Sequence, residues 1–174
     1  MTLSELGAKH STDKGTVHSY LDLYEELFSP LKDEPVSLLE IGIERGNSIR
    51  MWLEYFTKGN IHGIDKDIRT IVNLQSEPNR CACFNIEQSD ANALNAWFLD
   101  NQFDIIIDDG GHDPAKQILS FHYLWRTLKS GGFYCIEDLI NDDIIKYWKG
   151  MPNVTTYPFH KDGRADDILL IIRK

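Results

Sequence analysis

The chain has 174 residues, 42% hydrophobic and 26% charged, with a formal net charge of −9. That length and balance fit one globular domain with a sizeable core. No apolar run approaches the roughly 20 residues of a membrane helix, and the first residues do not read as a signal peptide. The acidic balance argues against a nucleic-acid partner, whose phosphates call for Lys and Arg.

In chain order, residues 1–35 read as a helical cap. Val17, Tyr20, Leu21, Tyr24, Leu27 and Phe28 follow helical spacing and give one apolar face. The preceding His10-Ser-Thr-Asp-Lys-Gly-Thr16 is too rich in turn formers for regular structure, and Pro30 and Pro35 bracket the exit. From residue 36, strand-like runs at 36–42, 60–65, 81–86, 103–108 and 131–137 alternate with helical stripes. Ile49, Trp52, Leu53 and Phe56 form the first stripe, Ala91, Leu94 and Phe98 the second, and Ile118, Phe121, Trp125 and Leu128 the third. This alternation predicts βαβ units around a parallel sheet. The runs Leu38-Leu39 and Ile105-Ile106-Ile107 are continuous, as expected for strands covered on both faces. Ile144, Ile145 and Trp148 predict another helix, and segments 154–160 and 167–174 a terminal hairpin. The division expected is a cap over 1–35 and one α/β domain over 36–174. Cys81 and Cys83 share one predicted strand, and with Cys135 the count is odd, so these read as reduced thiols of a cytoplasmic protein. No second thiol pair or nearby histidine completes a metal site around Cys81-x-Cys83.

The first strand runs into Glu40-Ile-Gly42-Ile-Glu44-Arg-Gly46-Asn-Ser48. A glycine turn between strand and helix lets a ligand approach the backbone and the helix N-terminus. Asp65 closes the second strand, 23 residues after Gly42 and 19 after Gly46, near the ~20 expected for a carboxylate on ribose hydroxyls. An adenosine cofactor follows. The spacing is G-x-x-x-G rather than the dinucleotide G-x-G-x-x-G, Glu44 would repel a pyrophosphate, and no P-loop Gly-Lys-Ser/Thr is present. S-adenosylmethionine, cationic and free of phosphate, suits a pocket with Glu40 and Asp65. Gly46, Lys66 and Glu87-Gln88-Ser89-Asp90 join the same sheet edge. Ser89 or Asp90 also fits as the N-cap of the next helix, and the two roles can coexist.

The fourth strand ends in Ile-Asp108-Asp109-Gly-Gly-His112 and the fifth in Ile-Glu137-Asp138. Open α/β sheets bind ligands outside the carboxyl ends of their strands. Side chains alternate along a strand, so Asp108 and Asp109 face differently. Close carboxylates repel unless protonated or bridged by a cation, and all-oxygen ligands select Mg²⁺, Mn²⁺ or Ca²⁺ over zinc. His112 suits a general base near neutral pH. The other histidines, His10, His18, His62, His122 and His160, have no such acidic company, and His122 falls within a core-facing helical pattern.

The chain resembles the class I S-adenosylmethionine-dependent methyltransferases. Within them it is similar to the metal-dependent sugar O-methyltransferases of macrolide biosynthesis. The resemblance rests on Thr12-Asp-Lys-Gly15 with His18, Tyr20 and Tyr24-Glu25, on Leu39-Glu-Ile-Gly42 through Trp52, and on Ile61-His-Gly-Ile-Asp65. Gln88-Ser-Asp90, Phe103 through His112, and Gly131 through Asp138 complete it. It implies a Rossmann-like, doubly wound α/β sheet of seven strands with an antiparallel last strand and helices on both faces. It also implies S-adenosylmethionine and Mg²⁺ (or Mn²⁺) as cofactors. By position, Asp109, Glu137 and Asp138 resemble the metal ligands, and His112 with Asp109 the catalytic pair. Glu40, Gly42, Gly46, Asp65, Lys66, Gln88, Ser89, Asp90 and Asp108 fall on the donor side. Lys14, His18 and Tyr20 are candidates for substrate contact, with the segment Thr12 to Tyr20 closing over cofactor or substrate. The expected partner is a sugar or glycoside acceptor, with no membrane or nucleic acid. The macrolide enzymes carry an extra N-terminal domain and little here precedes the core, so a homo-oligomer or a module of a larger glycan-synthesis protein is expected. The rival readings are a catechol-type or other small-molecule O-methyltransferase and a cofactor-binding module without turnover.

Overall fold

The computed structural model describes residues 1–67, 79–140 and 142–174. Among these, α1 (Leu3–His10), α2 (Asp13–Thr16) and α3 (Tyr20–Phe28) precede β1 (Ser37–Ile41), α4 (Asn47–Tyr55) and β2 (Asn60–Asp65). There follow β3 (Cys81–Asn85), α5 (Ala91–Trp97), β4 (Phe103–Asp108), α6 (Pro114–Leu124), β5 (Leu128–Ile136), α7 (Asp142–Lys149), β6 (Val154–Pro158) and β7 (Ile168–Arg173). The helix starts carry their own signals. Thr2 and Glu5 close a capping box on α1, Asp90 caps α5, and Asp113 caps α6 with a proline at its start.

The sheet has seven strands in the order β3-β2-β1-β4-β5-β7-β6. Neighbours from β3 through β5 pair in parallel. β7 inserts antiparallel between β5 and β6, as the family resemblance implies. The chain leaves β1 toward β2 and β3 and then returns to β4, so the order reverses between β1 and β4. That reversal opens a crevice at the strand ends where ligands of such sheets bind.

The run Ile105-Ile106-Ile107 is buried throughout because both faces of the sheet are covered. Ile105 and Ile107 join Leu38 and Phe133 under Tyr24, Phe28, Trp52 and Phe56. Ile106 joins Leu39 and Tyr134 under Leu94, Phe121, Leu124 and Trp148. Trp52 is fully buried, with the rings of Tyr24, Phe28 and Phe56 5.9–6.2 Å from its own. Truncating such a residue to Ala costs about 3–5 kcal/mol. The N-terminal helices thus pack into the same apolar cluster as α4 and the central strands.

Four local expectations change. The polar stretch 10–16 contains α2, a single turn whose Lys14 is drawn inward by carboxylates described below. Val17 does not join the apolar face of α3; it follows α2 and is exposed. β5 starts at Leu128 rather than 131, because Ser130-Gly131-Gly132 conceals a strand that continues across an irregularity in its pairing with β4. His122 is exposed and contacts the Tyr147 hydroxyl at 3.0 Å, so it is not a core residue. All three cysteines are free thiols, and the sulfurs of Cys81 and Cys83 lie 3.7 Å apart. Among the described residues no helix is long and apolar enough to cross a membrane.

Candidate active site

The turn after β1 approaches β4 so closely that only glycine fits. Gly42 has φ +84°, and a Cβ there would lie 2.1 Å from the Asp109 carbonyl oxygen. The two strand ends are tied by the Asp109 amide, which donates to the Ile41 carbonyl at 2.9 Å. Gly46, at φ +74°, starts α4. Asp65 Oδ2 accepts from the amides of Ile43 and Glu44 at 2.9 and 3.1 Å, and Oδ1 from the Asp67 amide at 2.7 Å. The Asp65 carboxylate therefore shapes the turn as well as bordering the crevice.

A cavity of about 580 Å³ fills this crevice. Gly42, Ile43, Glu44, Asp65 and Lys66 line one side, Gln88, Asp109, Gly110, Gly111 and His112 the other, and Thr12 and Asp13 of the N-terminal cap the rim. Four of the candidate donor-side residues, Gly42, Asp65, Lys66 and Gln88, thus face it directly. Glu40, Gly46, Ser89, Asp90 and Asp108 do not line it. Asp90 accepts from the amides of Asn92 and Ala93 at the start of α5, and Ser89 bonds Glu87 at 3.3 Å.

Asp108 is buried. It accepts from Gln88 Nε2 at 2.9 Å and from the Ser120 hydroxyl, while Gln88 Oε1 accepts from the Gly111 amide at 2.7 Å. Gln88 is thereby held between the fourth-strand loop and the cavity. Burial pushes the Asp108 carboxyl up to about 7, against the pull of its hydrogen bonds.

Asp109 points the other way, toward Lys14. The Lys14 ammonium, fully buried, lies 2.5 Å from Asp109 Oδ2, 2.7 Å from Glu137 Oε2 and 3.1 Å from Glu40 Oε1. Its contact with Glu40 is an ion pair without hydrogen-bond geometry. Burial opposes the charge on Lys14, but the three carboxylates outweigh it and hold the ammonium well above its ordinary value. Burial likewise raises the Glu137 and Asp109 carboxyls, and the ammonium pulls them back. With three acid oxygens in contact, Lys14 is the charged partner of this group. Glu40 Oε2 accepts from the Ser48 hydroxyl at 2.8 Å, and Glu137 Oε1 from the Tyr24 hydroxyl at 2.7 Å.

Asp138 sits at the mouth. Its Oδ1 accepts from the Tyr20 hydroxyl at 2.7 Å and lies 3.4 Å from His18 Nδ1. Its Oδ2 lies 3.7 Å from His112 Nε2. His112 and Asp138 both have left-handed backbones, φ +51° and +56°, a conformation that non-glycine residues keep only when their surroundings impose it. His112 Nδ1 has no partner. Ligand atoms of Asp109, His112 and Asp138 fall within 4.8 Å of one another, whereas both Glu137 oxygens already face protein donors.

The sequence reading placed Lys14 and Tyr20 on the substrate. The structure places them on the acids. It left His18 without acidic company, yet His18 Nδ1 lies 3.2 Å from the fully buried Asp167 and stacks on Tyr20. Tyr24, Ser48, Ser120 and Asp167 were missed. Tyr24 read as one more apolar position on its helix, and it meets Glu137 across 113 residues of chain. No local signal marks such a pair.

A family model described as a methyltransferase domain matches residues 39–139. The chain belongs to that family. Among curated relatives, the methyltransferase domain is 37% identical over 146 residues to a Streptomyces olivaceus enzyme, 8-demethyl-8-(2-methoxy-alpha-L-rhamnosyl)-tetracenomycin-C 3'-O-methyltransferase. That match covers 79% of this chain and 36% of the relative. It is 33% identical over 162 residues to the mycinamicin VI 2''-O-methyltransferase of Micromonospora griseorubida, covering 85% and 37%. Among solved structures it resembles the mycinamycin-pathway methyltransferase MycE in complex with Mg, SAH and mycinamycin VI, with a TM-score of 0.71 and 32% identity. The overlap is 86% of this chain and 41% of that one. The chain therefore spans only about two-fifths of the relatives it matches.

The residues present fit a hard divalent cation. Asp109 and Asp138 offer carboxylate oxygens that reach one small volume beside the cavity, with His112 next to them.

Proposed function

We propose that this methyltransferase domain moves a methyl group from S-adenosylmethionine to a sugar hydroxyl with the help of Mg²⁺ or Mn²⁺. The observation that carries the reading is one cavity joining the glycine turn and Asp65 to Asp109 and His112. The named relatives that methylate rhamnosyl and macrolide sugars support the acceptor class, and the Mg and SAH of MycE support the cofactors.

In this reading Gly42, Asp65 and Gln88 would hold the donor's adenosine in the cavity that Asp109 also lines. Asp109 and Asp138 would hold the cation, with Glu137 tied to Asp109 through Lys14. When bound, the donor supplies the methyl group and the cation supplies positive charge beside the acceptor oxygen. His112, which lines the cavity, takes the acceptor's proton, with Asp138 Oδ2 3.7 Å from its Nε2. The wall residues Asp108, Gln88 and Ser120 keep the loop in place, so much of the effect is positioning and electrostatics. Three free thiols support a cytoplasmic setting.

The test is a transfer assay with labelled donor against a panel of glycosides, free sugars and phenols, with the methylated position read by mass spectrometry and NMR. Methylated sugar hydroxyls are expected. Methylation of phenolic acceptors alone would replace this reading with the catechol-type one. Donor binding by calorimetry without turnover on any acceptor would reduce the protein to a binding module.

A further inference from the structure

The least expected feature of the site is Lys14. A lysine is seldom fully buried, and this one comes from a single helical turn held from two sides. The Lys161 ammonium donates to the carbonyls of Gly15, Thr16 and His18 at 2.9, 3.0 and 3.3 Å. Asp167 accepts from the amides of Lys161 and Ser19 at 2.7 and 3.4 Å. The terminal hairpin thus pins α2 in the pose that drives Lys14 inward.

The side chain ends where three strand ends meet. Glu40 belongs to β1, Asp109 follows β4 and Glu137 follows β5. Lys14 contacts all three, so it ties the donor half of the crevice to the acceptor half. It also partitions the acid oxygens. Glu137 accepts from Lys14 and Tyr24, Asp109 Oδ2 from Lys14, and Asp138 Oδ1 from Tyr20. Asp109 Oδ1 and Asp138 Oδ2 accept no hydrogen bond among the described residues, and Asp138 Oδ2 lies 3.7 Å from His112 Nε2. Glu40, Asp109, Glu137 and Asp138 carry four formal negative charges against the one on Lys14.

We propose that Lys14 is a positioning residue that acts as a built-in monovalent cation, holding the Asp109 and Glu137 carboxylates in place and limiting how tightly the divalent ion is held. This rests on the metal-assisted reading above. A like charge within the cluster weakens cation binding, and at contact distances the Coulomb effect is large enough to change affinity by orders of magnitude.

The experiment is a calorimetric Mn²⁺ titration of the wild-type protein, Lys14→Met, Lys14→Gln and the double variant Lys14→Met/Glu40→Gln, with folding checked by circular dichroism. Lys14→Met is expected to bind Mn²⁺ at least about tenfold more tightly than wild type. The double variant, which restores the net charge, is expected to return close to the wild-type affinity. Lys14→Gln is expected to tighten binding as Met does, and it stands in if Lys14→Met does not fold; the double variant removes a buried charge from each side and so tests the charge argument independently of either. Unchanged or weaker Mn²⁺ binding in the folded neutral variants, or a double variant that stays as tight as Lys14→Met, overturns the inference. A wild-type protein that binds no Mn²⁺ overturns the metal reading itself, which keeps the two failures distinct.

Discussion

Gly42→Ala separates backbone strain from loss of the site. Gly42 and Gly131 have nearly the same φ, +84° and +80°, so alanine at either costs about 1–2 kcal/mol of left-handed strain. They differ in surroundings. A Cβ at Gly131 meets nothing within 4 Å, whereas at Gly42 it meets the Asp109 carbonyl oxygen at 2.1 Å, its carbon at 2.7 Å and Gly110 Cα at 2.9 Å. All three are backbone atoms, so no side chain can swing aside. Relief to ordinary contact requires roughly 1 Å of separation between β1 and the loop after β4. That displacement moves Asp109 relative to the donor turn, and a 1 Å misplacement costs on the order of 10²-fold in rate, about 2.7 kcal/mol of barrier. Methyl-transfer kcat/KM and Tm measured for both variants test this. Gly131→Ala is expected to lose stability and keep transfer, Gly42→Ala to lose stability further and transfer by about two orders of magnitude. Equal transfer rates in the two variants would refute the close approach of strand ends as the basis of the site.

Three other expectations follow from the buried polar groups. Asp108 has its pKa raised to about 7 by burial, so the native state holds a proton that the unfolded chain releases near pH 4; this contribution is fully present below that pH and is lost as pH rises to about 7, at up to about 1.4 kcal/mol per unit. Urea unfolding at stepped pH should show that slope in the wild type and a flatter one in Asp108→Asn; parallel profiles would show that Asp108 is ionised throughout. Tyr24→Phe leaves Glu137 Oε1 buried without its donor and should cost about 1–3 kcal/mol by urea unfolding, and a neutral result would mean that Lys14 alone satisfies Glu137. His112→Ala should lower kcat by about 10²–10⁴ while donor binding by calorimetry persists; retained kcat would remove His112 from proton transfer.

Much of the fold was legible because its determinants are local. Apolar runs located the strands and the 3.6-residue spacing the helices noted, and the continuous isoleucines of β4 announced a strand covered twice. β5 was misjudged at its start, where glycines hide the pattern, and α2 and Val17 were misread in the polar stretch before α3. The strand-end acids were equally legible, since a parallel sheet gathers those ends on one edge. What stayed hidden is how oxygens are shared between distant segments. Glu137 reads as a ligand in isolation, and only the packing of α2 and α3 against the sheet brings Lys14 and Tyr24 onto it. Asp65 reads as a ribose contact, and the fold also engages it with the turn amides. His18 gains acidic neighbours only when the fold brings Asp138, after β5, and Asp167, in the terminal hairpin, up to it.

The central claim is that the two acidic strand ends hold a divalent ion that His112 uses in methyl transfer. It is tested most directly by measuring labelled methyl transfer to a glycoside acceptor in the wild-type protein after EDTA treatment and again after Mg²⁺ is restored. Loss of transfer in chelator and its recovery with Mg²⁺ is the result predicted; full transfer in chelator would contradict it.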